Sequence, residues 1–379
     1  MTKKNKSLLF VITLLIFANS WAQQLPKAQE LAKKMHVGWN LGNTLEAICD
    51  ENAWGAGKTS QKLIDSVKAA GFNTVRIPVS WFCHSDTISS KINKKWMVRV
   101  KEVVDYCIKD DMYVILNMHW DKGWLENRIN TTNQEKVNKR QYAYWTQIAK
   151  YFKNYDEHLL FAGANEPNAK DAKQMSILLS YYQTFVDAVR VTGGNNASRT
   201  LIVQGPETDI QKTLDLMNSM PTDKIKDRMM VEVHFYSPFQ FCLMSKEADW
   251  GKPFYYWGKD NHSKTDLEHN STWGEEEFID KHFRSLKTKF VDKGIPVILG
   301  EFGAYKRKLS NVSDQKLNNA SVEFFGKYVV KSALENGVIP YYWDTPNNLF
   351  NRNIGEVLDK GVIKAMLQGA KEAKNGANY

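Results

Sequence analysis

Short apolar runs and stretches in which apolar residues recur every third or fourth position take turns along the chain. The first kind suits a strand buried on both faces, and the second suits a helix that buries one stripe. Read this way, strands are predicted at His36–Asn43, Phe72–Pro78, Met112–Met118, Leu159–Ala164, Thr200–Gly205, Met229–Phe235, Ile295–Leu299 and Val338–Trp343. Helices are predicted over Lys27–Lys34, Ser60–Ala70 with Gly71 as C-cap, Trp96–Asp110, Tyr142–Phe152, Tyr181–Val191, Phe278–Val291 and Ser321–Asn336. Eight strands, mostly separated by helices, predict an α/β fold, a (β/α)8 TIM barrel. A doubly wound open sheet fits less well. No glycine-rich phosphate loop follows the first strand, and polar residues end nearly every strand rather than one switch point. No linker, low-complexity tract or repeat divides the chain, so residues 23–379 read as one domain.

The 379 residues are 43% hydrophobic, enough for one large barrel or two ordinary domains, so size leaves the choice to the pattern. At the N-terminus Lys3, Lys4 and Lys6 precede an apolar run from Leu8 to Phe17, followed by Ser20-Trp21-Ala22. Positive charge, apolar core and small residues in that order predict a secretory signal over residues 1–22, cleaved near Ala22 and too short for a membrane span. The protein is therefore expected to be secreted or periplasmic, with no membrane partner. Cleavage removes three lysines and no acid, leaving +6 of the formal charge of +9, with bases scattered among acids. Such a surface does not suit nucleic acid. Cys49, Cys83, Cys107 and Cys242 contain no CxxC pair, which argues against a zinc ribbon or a thioredoxin-type site. Export permits disulfides, with all three connectivities open.

The fourth strand runs into Asn165, Glu166 and Pro167. Pro167 cannot continue a central strand, so Glu166 is placed on the rim, where a carboxylate at a buried strand's end needs work or a partner. In a parallel barrel all strands open onto one face at their C-terminal ends. Arg76, His119, Asn165, Glu166, His234, Tyr236, Glu301 and Trp343 each stand at or near such an end. Two carboxylates across a cleft are what glycosidic bond cleavage needs, one to protonate the leaving oxygen and one to meet the anomeric carbon. Glu301, between Gly300 and Phe302-Gly303, has small neighbours that let a substrate approach, which makes it the nucleophile candidate. Arg76 and Tyr236 are placed to hydrogen-bond it, and Glu166 is left as the acid.

The motifs GWNLGNT, VRIPVSW, NMHW, ANEP, VHFY, LGEFG and YYWD, in that order, closely resemble glycoside hydrolase family 5, the cellulase-containing family of retaining (β/α)8 glycosidases. The resemblance runs from about His36 to Trp343. It implies Glu166 as acid/base, Glu301 as nucleophile, and Arg76 and Tyr236 as supports of the nucleophile. It further implies Asn165 as partner of the sugar 2-hydroxyl, and His119, His234 and Trp343 as the sugar-binding wall. The implied activity is that of an endo-acting β-1,4-glucanase on a β-linked polysaccharide, or the same mechanism on mannan, xyloglucan or mixed-linkage glucan. No cofactor or metal is expected, and the chain is expected to act as a monomer.

A metal site is set aside because barrel metallohydrolases carry an HxH pair on the first strand, and His36 is followed by Val37-Gly38. Sugar rings stack on aromatic planes, so loop tryptophans are subsite candidates: Trp54 after the first strand, Trp120 and Trp124 after the third, Trp257 and Trp273 after the sixth. His84, past the second strand, is placed as a lining residue or as a locally held loop histidine. Trp39, Trp96 and Trp145 are read as core. The insertion from Ser237 to Glu277, rich in aromatic residues, is expected to wall the cleft.

Overall fold

A computed structural model describes residues 24–373; the expected signal at residues 1–22 lies outside the described residues. Eight parallel strands close into a barrel in chain order: β1 (Gly38–Leu41), β2 (Thr74–Ile77), β3 (Tyr113–Asn117), β4 (Leu159–Ala162), β5 (Leu201–Gln204), β6 (Met229–Phe235), β7 (Val297–Phe302) and β8 (Val338–Asp344). β8 pairs with β1, Gly38 facing Tyr341 and Asn40 facing Trp343. The helices are α1 (Ala28–Ala32), α2 (Gln61–Ala69), α3 (Lys94–Lys109), α4 (Gln134–Phe152), α5 (Ala172–Arg190), α6 (Ile210–Leu216), α7 (Phe239–Cys242), α8 (Glu276–Lys289), α9 (Val312–Glu335) and α10 (Lys360–Glu372). The predicted (β/α)8 barrel is the observed one.

Side chains alternate along each strand, so one residue in two enters the barrel. Tyr113, Ile115, Leu160, Ile202, Met230, Ile298 and Tyr341 pack together inside, and Ala28, Leu31 and Met35 join them. α1 therefore plugs the N-terminal end of the barrel. Gly38 makes room for this layer: a Cβ there would stand 2.2 Å from the Tyr341 ring. The alternate residues, Val75, Val114, Phe161, Val203, Val231 and Leu299, face the surrounding helices in the larger outer core. One step further along the strands the interior turns polar, with Asn40, Arg76, Gln204 and Glu232 all buried.

Several boundaries differ from the sequence reading. α4 starts at Gln134, two turns before Tyr142, because its first turns are polar apart from the buried Val137. α5 starts at Ala172, where Asp171 accepts from Gln174 N–H as an N-cap. α6 and α10 were not predicted; each is capped by an aspartate, Asp209 and Asp359. Cys49 and Cys83 form a disulfide that ties the loop after β1 to the loop after β2, while Cys107 and Cys242 are free and buried. No helix among the described residues is long and apolar enough to cross a membrane.

Candidate active site

On β6 the alternation sends Glu232 and His234 into the barrel, and Tyr236 follows two residues on at the rim. β7 departs from strict alternation. Leu299 pairs with Val233 but Glu301 pairs with His234, so Gly300 is an extra residue on β7, and the same shift appears against β8. Such a bulge re-aims the side chain that follows it. Glu301 is thereby turned towards His234 across the sheet.

Arg76 is the hub. From Nη1 it donates to Glu301 Oε1 at 2.9 Å and to Asn40 Oδ1 at 3.0 Å, and from Nη2 to Asn165 Oδ1 at 2.9 Å. Its Nε lies 2.8 Å from Glu232 Oε1. One buried, planar cation thus joins residues from β1, β6 and β7 and from the loop after β4, a geometry that guanidinium offers and ammonium does not. The other oxygen of Glu301 accepts from Tyr236 Oη at 3.0 Å. Burial pushes the Glu301 carboxyl above its ordinary range, and the charges of His234 and Arg76 only partly restrain it.

Glu166 is the one exposed carboxylate of the group, with 46% of its side chain open. Its Oε1 is 2.8 Å from His234 Nδ1, and His234 Nε2 is 3.2 Å from Glu232 Oε1. Desolvation favours the protonated form of Glu166, but the bond to His234, with Arg76 behind it, outweighs this and holds the group below the ordinary carboxylate range. Burial favours neutral His234; Glu301, Glu166 and Glu232 together raise it to about 9. Carboxylate oxygens of Glu166 and Glu301 and a ring nitrogen of His234 all lie within 4.8 Å of one another. This resembles a metal site in composition, yet both ring nitrogens of His234 are already engaged by carboxylates, Nδ1 by Glu166 and Nε2 by Glu232. Opposite, His119 stacks on Trp343, ring centroids 5.7 Å apart. Burial, with the charges of Arg76 and His234, keeps His119 neutral.

The family model described as cellulase (glycosyl hydrolase family 5) matches residues 32–348. The chain belongs to glycosyl hydrolase family 5. Endoglucanase A of Paenibacillus barcinonensis is 34% identical, over 90% of each chain. A xyloglucan-specific endo-β-1,4-glucanase of Bacteroides ovatus is also 34% identical, over 90% of this chain and 70% of that one. Among solved structures, a family 5 xyloglucan-specific β-1,4-glucanase from a ruminal metagenomic library, in complex with the oligosaccharide XXLG, superposes with a TM-score of 0.86. Its identity is 42%, covering 92% of this chain and 97% of that one.

In this family 5 barrel the eight residues singled out at the strand ends do come together, with one change of place. His234 is not part of an open wall: it is buried beneath Glu166, both ring nitrogens engaged. The outer aromatic residues divide. Trp54, Trp120 and Trp273 are exposed on loops at the C-terminal end of the barrel. Trp257 is wholly buried, its Nε1 donating to Gly274 O and its ring edge-on to Phe325 of α9. Trp124 is buried edge-on to Tyr144 of α4. Both are packing residues and not subsites, so only part of the insertion after β6 faces outward. His84 stacks on Trp96 at 3.6 Å in a surface hollow with Asp86, Lys91 and Asn93, apart from the catalytic candidates. A cavity of about 690 Å³ opens beside Tyr236 and Trp343, lined also by Tyr305, Lys308, Asn347 and Asn348 from the loops after β7 and β8.

The sequence reading missed the layer beneath the site. Asn40 Nδ2 donates to Gly300 O at 2.8 Å, fixing the backbone just before Glu301. Gln204 Nε2 donates to Glu232 Oε2 at 2.7 Å and its Oε1 accepts from Ala164 N–H, just before Asn165. A signal existed for Glu232: an acid in an otherwise apolar strand, two residues before His234 and so on the same face. Two further buried acids flank the site. Burial raises Glu46, after β1, to about 7, and Glu126, after β3, to about 8, with Glu301 and Glu166 respectively adding to the rise.

Proposed function

We propose that the chain is an exported, monomeric endo-β-1,4-glucanase that cleaves β-glucan chains with retention of configuration, xyloglucan among them, with Glu166 as acid/base and Glu301 as nucleophile. The observation that carries this reading is the closeness of the two carboxylates, one oxygen of Glu166 lying within 4.8 Å of one oxygen of Glu301. Retaining sites hold the pair about 5–5.5 Å apart, whereas inverting sites need roughly 6.5–9.5 Å to seat a water between carboxylate and sugar.

In the first step Glu301 attacks the anomeric carbon as Glu166 gives a proton to the departing oxygen. Arg76 and Tyr236 occupy one oxygen each of Glu301, which favours its ionised form against burial and fixes its aim. In the second step Glu166, now a carboxylate, takes a proton from water as it releases the sugar from Glu301. The wall of His119 and Trp343 gives the reacting sugar a flat apolar face to lie on. Support for xyloglucan comes from the two xyloglucan-specific relatives and from the cavity beside Tyr236, whose mixed aromatic and polar lining suits a branched glycan. Export rests on the pattern of residues 1–22.

The test is a reducing-sugar screen over xyloglucan, carboxymethyl cellulose, lichenan, glucomannan and galactomannan, with products sized by chromatography. Xyloglucan and at least one unbranched β-glucan should be cut to mid-length oligosaccharides. Activity on galactomannan alone, or release of monosaccharide only, contradicts the reading. Light scattering of the secreted form should give the mass of one chain.

A further inference from the structure

The acid role of Glu166 poses a difficulty that the structure itself resolves. An acid must hold a proton before the sugar leaves, yet Glu166 faces a cationic partner that favours its ionised form. Both nitrogens of His234 face carboxylate oxygens, 2.8 Å away on Glu166 and 3.2 Å away on Glu232. Ionised carboxylates only accept, so both nitrogens carry hydrogen while the two acids are charged.

We propose that in the resting enzyme the proton Glu166 will deliver is stored on His234, and that Glu232 is the buried positioning residue that holds it there. The proposal rests on the assignment of Glu166 as acid. When a sugar covers the exposed side of Glu166, loss of water disfavours the ion pair. The Nδ1–H bond of His234 breaks and an O–H bond forms on Glu166 Oε1, the electron pair staying on Nδ1. Both groups become neutral, and Nε2–H remains directed at Glu232. The proton then leaves with the departing oxygen. Glu166 regains one from the hydrolytic water and returns it to His234.

Three features make Glu232 suited to this. It is wholly buried, so its charge acts without screening by water. It is fixed from three sides, by Arg76 Nε at 2.8 Å, Gln204 Nε2 at 2.7 Å and His234. Gly300 leaves it space, since a Cβ there would lie 2.1 Å from Glu232 Oε1. The charged and titratable groups around the cluster are Arg76 from β2, His119 and Glu126 after β3, Glu166 after β4, Tyr182 from α5, Tyr236 after β6, Glu301 from β7 and Tyr341 from β8. Gln204 fills the β5 side without charge. The raised affinity of His234 for its second proton agrees with this surrounding.

Glu232→Gln removes one negative charge from this cluster, so every remaining group gives up its proton at lower pH. Nitrogen-15 spectra of the intact enzyme should show His234 as imidazolium at neutral pH, and in Glu232→Gln its loss of the second proton should move to lower pH. The alkaline limb of kcat/KM on cello-oligosaccharides should move to lower pH by about one unit, the size of effect expected of a close buried charge. The loss should be smaller on a dinitrophenyl glycoside, whose departure needs less proton transfer. A neutral His234 in the resting wild-type enzyme overturns the proposal, even if the variant fails to fold. A Glu232→Gln profile of unchanged shape also overturns it, because lost packing lowers rate without moving the limb. If azide fails to rescue Glu166→Ala, the acid assignment itself has failed, whatever the state of His234.

Discussion

Nη1 of Arg76 stands 2.9 Å from Oε1 of Glu301, and the guanidinium that makes this contact is wholly shut off from solvent. It also donates to Asn40 and Asn165 and pairs in charge with Glu232, so the residue that steadies Glu301 also fixes the neighbour of Glu166. Arg76→Lys keeps the charge and loses the fork. We expect kcat to fall roughly 100-fold or more, the scale for losing a preorganised donor in an active site. Circular dichroism should still report a folded barrel. A near-normal kcat would show that Arg76 serves packing alone.

Tyr236 gives the second hydrogen bond to Glu301, and removing it should be visible in the pH profile. As the proposed nucleophile Glu301 must be ionised to attack, so on that reading activity is lost as pH falls through its pKa, which burial has already raised. Tyr236→Phe deletes a donor that favours the ionised form, so the acid limb of kcat/KM should move to still higher pH. A limb that stays in place or moves down would detach it from Glu301.

The tryptophans of the loop after β6 should separate cleanly. Trp257→Ala opens a hole against Phe241 and Phe325 and should destabilise the fold by about 3–5 kcal/mol, the usual range for a buried aromatic truncated to alanine. Its KM for polysaccharide should not change. Trp273→Ala, at an exposed ring, should raise KM severalfold with little change in kcat or melting temperature. The opposite division would reverse the assignment of the two rings.

Glu126 offers a test in stability. Its carboxyl is almost fully buried with Oε2 unpartnered, and it keeps its proton up to about pH 8 in the fold, against an ordinary value near 4.5. The folded state therefore holds a proton that the unfolded chain has released across that window. Its contribution is whole below the ordinary value and is lost as pH rises towards 8. Glu126→Gln imitates the protonated form, so the melting-temperature advantage of the variant should grow from about pH 5 to about pH 9. A constant difference across that range would mean that Glu126 does not titrate in the fold.

What the sequence made legible follows from how each signal is written. Strand ends were readable because Arg76, His119, Glu166, His234 and Glu301 stand within a residue or two of where an apolar run ends, and a parallel barrel gathers such ends on one face. The bulge at Gly300 was not readable, since it is a register relation between three strands and leaves no mark in one. Trp257 and Trp273 are alike in type and both lie in one insertion; only packing tells that one ring meets α9 and the other meets water. Glu232 was overlooked inside an apolar strand because its partners come from β2 and β5, far away in sequence.

The claim that Glu166 is the acid/base and Glu301 the nucleophile is tested most directly by azide rescue on an activated cello-oligosaccharide, with the anomer of the product read by NMR. Glu166→Ala still forms the glycosyl-enzyme, and azide then enters from the opposite face, so a β-glycosyl azide is expected. Glu301→Gly leaves a gap beside the anomeric carbon, and azide attacking there should yield the α-glycosyl azide. The same anomer from both variants, or rescue of neither, would contradict the account.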